Sequence, residues 1–113
     1  MEVRLPAHVE VSALIRQVEA EGGFAAVVKK GQREAGTILV ILAEKGANAR
    51  VFERMPQLDG TRAWHCAKTQ DIENKEEFSD YLERRASQDP DLWILELDIA
   101  NGERFIGLPP GFS

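Results

Sequence analysis

Hydrophobic positions near the start of the chain predict a helix followed by a strand. The apolar residues that recur at spacings of three and four are Val11, Leu14, Ile15 and Val18. They share one face of an amphipathic helix over about residues 9–21. Gly22-Gly23 supplies the backbone freedom at which helices commonly end. A weaker alternation then predicts a first strand from Phe24 to Lys30.

The middle of the chain predicts three more strands. The segment TILVILA, residues 37–43, is apolar on both faces, which is typical of a central strand. The segment EKGANA follows, and its Gly46 and Asn48 can adopt the positive φ angles of a hairpin turn. We therefore expect a third strand over residues 50–55 and a short fourth strand over residues 63–68.

A second helix is predicted after Asn74. Glu77 stands three residues later, as in a capping box, and Phe78 begins an apolar face at helical spacing. The segment DPD at residues 89–91 ends this helix, because a residue before proline disfavours helical geometry. A last long strand is expected from residue 92 to residue 99. Its apolar face consists of Trp93, Leu95, Leu97 and Ile99.

These elements predict a single α+β domain over residues 1–113. The order is α-β-β-β-β-α-β-β, and consecutive strands joined by short turns pair antiparallel. We therefore expect an antiparallel sheet of four to six strands with two helices on one face. Residues from about 105 to 113 are expected to form a short C-terminal strand or an irregular tail.

The central strand also carries an expectation about assembly. Its apolar side chains point to both faces, and each exposed Leu or Ile would forgo roughly 1.5–3 kcal/mol of burial. Because two helices on one face leave the second face open, we expect a homodimer through the second sheet face. The alternative cover within the chain is the C-terminal tail, through Phe105, Ile106, Leu108 and Phe112.

Composition favours a cytoplasmic protein that does not bind nucleic acid. The net charge is -5, and a net negative chain is a poor general binder of phosphate backbones. The single Cys66 excludes an internal disulfide, which favours a reducing compartment. We find no signal peptide, and nothing approaches the ~18 consecutive apolar residues of a membrane span. We expect a soluble protein of the cytoplasm.

Three segments of the chain resemble a known family. They are VSALIRQVEAEGGFAAVVKKG at residues 11–31, the turn from Gly31 to Gly36, and DPDLWILELD at residues 89–98. The chain is similar to a small domain-of-unknown-function family found mainly in alphaproteobacteria, over nearly its whole length. The turn after the first strand is usually acidic in that family and reads GQRE here. Because the family has no established activity, cofactor or catalytic residue, the resemblance implies a compact cytoplasmic α+β protein of unknown role.

Cys66 beside His65 is the one candidate for a nucleophile and a base. Neighbours on a strand point to opposite faces, so these two side chains cannot share a proton. Cys66 lies on the same face as Trp64 and is predicted to be a small core residue, while His65 faces solvent. We therefore expect no catalytic residue and no covalent catalysis at Cys66.

No metal or cofactor site is predicted. A metal site needs three or four converging ligands, but His8 and His65 are far apart and only one cysteine is present. Asp89 and Asp91 flank Pro90 at a helix end, where turn formation explains both. The glycine-rich phosphate loops and the G-x-S-x-G elbow are absent from the sequence.

One group of basic residues is a candidate binding site. In a meander of three strands, the end of the first, the start of the second and the end of the third meet at one edge. The residues at these positions are Lys29, Lys30, Arg33 and Arg54. They predict a site for a small anion or an acidic protein partner, and the alternative is a solvated turn without function.

We favour a small interaction or regulatory module without catalysis. The alternative is a small enzyme or ligand-binding protein with an anionic ligand at the Lys29/Lys30/Arg33/Arg54 edge. An enzyme predicts a concave pocket with perturbed pKa values, whereas a module predicts shallow surfaces and an apolar patch. An RNA binder would need exposed aromatic residues beside the basic group.

Overall fold

A computed structural model describes residues 5–108 of the chain. Its elements confirm the α+β class and the predicted order of the helices and of the first five strands. They are α1 (Ala7–Ala20), β1 (Phe24–Lys29), β2 (Ile38–Glu44), β3 (Ala47–Pro56), β4 (Arg62–Thr69), α2 (Lys75–Gln88), β5 (Trp93–Asp98) and the 3₁₀ helix η1 (Gly102–Ile106). The last element is a 3₁₀ helix rather than a strand, and residues 109–113 lie outside the described residues.

The five strands form one sheet in the order β1-β5-β2-β3-β4. The hairpins β2–β3 and β3–β4 are antiparallel as predicted. The predicted meander of the first three strands is wrong, because β5 lies between β1 and β2. It pairs antiparallel with β1 and parallel with β2. The strands β5 and β2 carry the most apolar sequences, WILELD and ILVILAE, and both occupy positions with two buried faces. The strand β1 is left at the edge.

The connection between β1 and β2 is a crossover past the start of β5. The N–H of Gln32 donates to the carbonyl of Asp91 (2.9 Å), and the indole N–H of Trp93 donates to the carbonyl of Gln32 (2.7 Å). A Cβ at Gly31 or Gly36 would overlap with the Asp91 carbonyl. The two glycines therefore allow this segment to lie directly against the chain that leads into β5.

The two helices pack on opposite faces of the sheet, which corrects the expectation of both on one face. The core beneath α1 contains Ile38, Val40 and Leu42 of β2. The core beneath α2 contains Leu39, Ile41 and Ala43, the alternate residues of the same strand, with Phe78 of the helix. A central strand that is apolar on both faces needs a cover on each, and each helix supplies one apolar face.

This arrangement removes the open face on which the predicted dimer contact depends. Since α2 covers the second face, Leu39 is fully buried within the chain. The segment after β5 folds onto the α1 side instead, where Phe105, Ile106 and Leu108 pack with that core. Phe112 lies outside the described residues. The homodimer itself stays a prediction.

Candidate functional site

The four predicted basic residues do not form one cluster, and Lys29 shows why. Its ammonium group donates to the carbonyls of Pro90 (2.9 Å) and Leu92 (2.8 Å). Lys29 therefore links the end of β1 to the segment that precedes β5 through these hydrogen bonds. The sequence could not indicate this role, because the contact exists only once β5 pairs with β1.

Arg54 of β3 is engaged by α1. Its guanidinium forms an ion pair with the carboxylate of Glu10 (2.6 Å) and lies 4.7 Å from the centroid of the Trp64 ring. Three strand spacings separate β3 from β1, roughly 14 Å. The structure thus places Arg54 apart from Lys29 and ties it to the helix above the sheet.

Lys30 and Arg33 are the two members of the group that are exposed. The Nε atom of Arg33 lies 3.9 Å from the carboxylate of Glu34, a loose contact in solvent. The carbonyl of Arg33 accepts the backbone N–H of His8 (2.9 Å) and lies 3.0 Å from its ring nitrogen Nδ1. The loop after β1 is therefore held against the first turn of α1 by its backbone, while its cations point to water.

Two clefts of the surface are concave, as an enzyme site requires. One of about 300 Å³ lies between the start of α1 and β3, and its wall includes the paired Glu10 and Arg54. The other, of about 280 Å³, is walled by Arg50 and Glu103, which form an ion pair of 3.0 Å. In each cleft an acidic and a basic side chain of the wall are thus already paired with each other.

The clearest pKa shifts lie away from these clefts. The pKa of Asp59 is lowered because its carboxylate accepts bonds from the hydroxyl (2.6 Å) and the N–H (3.0 Å) of Thr61 at the β3–β4 turn. The pKa of Arg85 is raised because its guanidinium donates two bonds to the carboxylate of Glu53 (2.8 and 2.9 Å). Burial opposes that rise, and a bond to the Tyr81 hydroxyl adds to it. Both groups stabilise local structure.

The predicted separation of Cys66 and His65 is confirmed. Cys66 lies opposite Phe52 and His65 opposite Glu53, so the two side chains project to different faces of the sheet. Cys66 packs against the core beneath α1, and His65 is exposed. The nucleophile-and-base arrangement is therefore excluded by geometry.

The edge strand β1 carries the largest apolar exposure in a regular element. Within residues 5–108 it pairs on one side only, with β5. Phe24 is 61% exposed, Val28 54% and Val27 42%. An edge of this kind presents unpaired backbone N–H and carbonyl groups together with apolar side chains, which makes it a template for another strand.

The opposite edge of the sheet is protected in the usual way. The strand β4 has the sequence RAWHCAKT, with Arg62, His65 and Lys68 distributed along it. Charged side chains discourage edge-to-edge pairing. The sequence of β1, FAAVVK, has no charge before Lys29. The candidate functional site is therefore the outer edge of β1 from Phe24 to Val28.

Two further properties concern the described part of the chain. Neither α1 nor α2 has the length and apolar character that crossing a membrane would require. Among residues 5–108, no three His, Cys, Asp or Glu side chains are arranged to hold a metal ion. The prediction that the protein binds no metal stays a prediction.

Comparison with known proteins identifies the family. The model of DUF1491, described as a protein of unknown function, matches residues 5–107. The chain is similar to the crystal structure of a DUF1491 family protein from Caulobacter crescentus CB15, with 34% identity, a TM-score of 0.80, and coverage of 94% of this chain and 98% of that chain. An NMR structure of a DUF1491 family protein from the same organism gives 34% identity and a TM-score of 0.77, covering 96% and 97%.

A third structure extends the similarity to a second genus. The solution structure of a protein from A. tumefaciens is 35% identical with a TM-score of 0.69, covering 86% of this chain and 87% of that chain. No curated protein matches the chain. The chain belongs to the DUF1491 family, and the resemblance to an uncharacterised alphaproteobacterial family is confirmed.

Proposed function

We propose that this chain is a small protein-interaction module without catalysis, and that it docks an extended segment along the outer edge of β1. The observation that carries the proposal is an edge strand with three exposed large apolar side chains and no charge before Lys29. Natural sheets normally protect such an edge with charges or prolines, as β4 does here. Residues 24–27 of β1, ahead of its bulge and of Lys29, lack these protections, and such an edge is expected where a partner covers it.

The chemistry of such docking is the addition of a strand. Backbone N–H and carbonyl groups of the partner would pair with the outward groups of β1, and this pairing supplies affinity without a deep pocket. Alternate side chains supply specificity, because Phe24 projects to the α2 side and Val27 to the α1 side. The partner is therefore an extended segment with apolar residues at alternate positions.

The alternative function, binding of an anion at the basic edge, has weaker support. It requires Lys29, Lys30, Arg33 and Arg54 to act together. Lys29 is bonded to two carbonyl groups and Arg54 to Glu10, so an anion would have to displace protein partners at both. Such a ligand would lose as many charge-assisted bonds as it makes.

We assign the module to the cytoplasm. The assignment is supported by the sulfur chemistry of the chain, whose one cysteine packs beside core residues and forms no internal disulfide. It predicts that interaction partners are proteins of the same compartment.

The proposal is tested by a photo-crosslinking side chain placed on the β1 edge. Benzoylphenylalanine replaces Phe24 in one variant and Ile72, an 82% exposed residue of the loop before α2, in a matched control. Both variants are irradiated in cells that express the intact chain, and the adducts are identified by mass spectrometry. We expect discrete adducts from position 24, because a docked strand would lie in contact with that side chain.

A captured protein must then bind the purified chain directly. Val27→Lys, which puts a charge on the edge, should weaken that binding, while Ile72→Lys should leave it unchanged. Equal adducts from positions 24 and 72, or binding that ignores Val27→Lys, would contradict the docking edge.

A further inference from the structure

We infer that the occupant of the β1 edge is a second copy of this chain, paired antiparallel through β1 about a two-fold axis at Ala26. The inference rests on the proposed docking edge and names its partner. It replaces the contact through the second sheet face, which α2 occupies. Two five-stranded sheets would join into one continuous sheet.

The side chains of β1 match their own reversed copy. Residues directly opposite each other in an antiparallel pair share a face of the sheet. Ala25 pairs with Leu97 and Val27 with Leu95, so both lie on the α1 side. With the axis at Ala26, Ala25 stands opposite the partner's Val27, and each small side chain meets a larger one.

The same register matches the other face. Phe24 and Ala26 pair with Asp98 and Glu96 and lie on the α2 side. Phe24 then stands opposite the bulge of the partner, where Val28 is the extra residue and Lys29 lies on the same α2 side as Phe24. Two Ala26 residues meet at the axis, and their small side chains do not obstruct the contact. The exposed apolar groups of β1 thus cover each other.

Charge complementarity points to a second copy rather than an unrelated strand. Because the bulge adds one residue at Val28, Gly23 stands opposite the partner's Lys30. Gly23 donates its N–H to the carbonyl of Val18 (3.0 Å), so the last turn of α1 is directly adjacent. Glu19 and Lys30 are both exposed. The pairing therefore brings an acidic residue of each copy to a basic residue of the other, twice per dimer.

The positions of the two side chains agree with this contact. Glu19 is four residues after Ile15, which packs against the core, and so lies on the same flank of α1. The other flank carries Glu10, which reaches β3. Glu19 accordingly lies toward β1. Lys29 pairs with Ile94 on the α2 side, so alternation puts Lys30 on the α1 side with Glu19.

The contact involves one short strand from each copy, so the interface is small. We expect a dissociation constant on the order of micromolar to sub-millimolar, as for other small interfaces. Such a dimer is detectable by sedimentation equilibrium over roughly 10 to 500 µM chain, where the mass should rise toward twice 12.6 kDa.

The experiment compares the intact chain with Glu19→Lys, Lys30→Glu and the double variant that carries both changes. Each single change puts like charges together at two symmetric contacts and should raise the dissociation constant roughly tenfold. The double variant restores opposite charges and should return the dissociation constant to that of the original chain. Circular dichroism monitors the fold, and Arg33→Glu, outside the paired register, serves as the matched charge control.

The outcomes separate this inference from the proposed function. A monomer at every concentration, or a dimer that ignores both single changes, overturns the second copy as occupant. If that monomer still forms Phe24 adducts with another protein, the docking edge itself survives. A dimer whose single variants dissociate while the double variant recovers supports both the partner and the register.

Discussion

At the scale of single residues, the contacts that shape this molecule join positions far apart in the chain. Lys29 donates hydrogen bonds to the carbonyls of Pro90 and Leu92, and Arg54 forms an ion pair with Glu10. Properties that depend only on neighbouring residues, such as the separation of Cys66 from His65, follow from alternation and were predictable. Properties that depend on strand order were not, because the sequence does not state which strands become neighbours.

Gly31 gives a direct test of the crossover past β5. We expect Gly31→Ala to lower the free energy of unfolding by about 2–3 kcal/mol, because its Cβ would overlap with the Asp91 carbonyl. Gly60→Ala is the control. Gly60 has a φ of 87° with open space around it, so only the left-handed backbone of this turn opposes the change, at about 1 kcal/mol.

Urea unfolding of the two variants measures both effects. If Gly31→Ala cost no more than Gly60→Ala, the segment between β1 and β2 would not lie against Asp91. The pairing of β1 with β5, which depends on the same crossover, would then be wrong.

At the scale of elements, the boundaries followed from the sequence better than the arrangement did. The cap at Asn74 is confirmed, since its side chain accepts a bond from the N–H of Glu77 (3.3 Å). The β2–β3 hairpin also has the expected positive φ at Gly46, in its turn, and at Asn48, the second residue of β3. The strands β2 and β5 are both apolar, but nothing in their periodicity indicates that they pair with each other in parallel. That pairing puts β1 at the edge and allows one helix on each face.

Phe78 tests the role of α2 as the cover of the second face. It is 5% exposed and packs with Leu39 and Ile41. We expect Phe78→Ala to cost about 3–5 kcal/mol, because it removes a buried aromatic side chain and leaves a cavity. Ile72→Ala, at a residue that is 82% exposed, should change stability by no more than about 0.5 kcal/mol.

Thermal or denaturant unfolding measures this difference. If Phe78→Ala lowered the free energy of unfolding by less than about 1 kcal/mol, α2 would not cover the second face of the sheet. The second sheet face would then be open to a dimer contact.

At the scale of the whole molecule, the fold class was predictable and the proposed docking surface was not. The acidic balance and the lack of catalytic motifs pointed to an interaction module before the fold was known. The proposed docking edge was missed because FAAVVK was interpreted as the first strand of a meander and its exposed edge was not considered. Its sequence did carry a signal, since small and apolar residues without charge need a neighbour at an edge.

The claim that the outer edge of β1 pairs with a second copy of the chain is tested most directly by amide hydrogen exchange in a concentration series. In dilute protein, the amides of residues 24–28 that point away from β5 should exchange rapidly, because no partner strand protects them. At high concentration they should become protected, while the outer amides of β4 should exchange as before. Unchanged exchange in β1 at every concentration, or new protection in β4 instead, would contradict the claim.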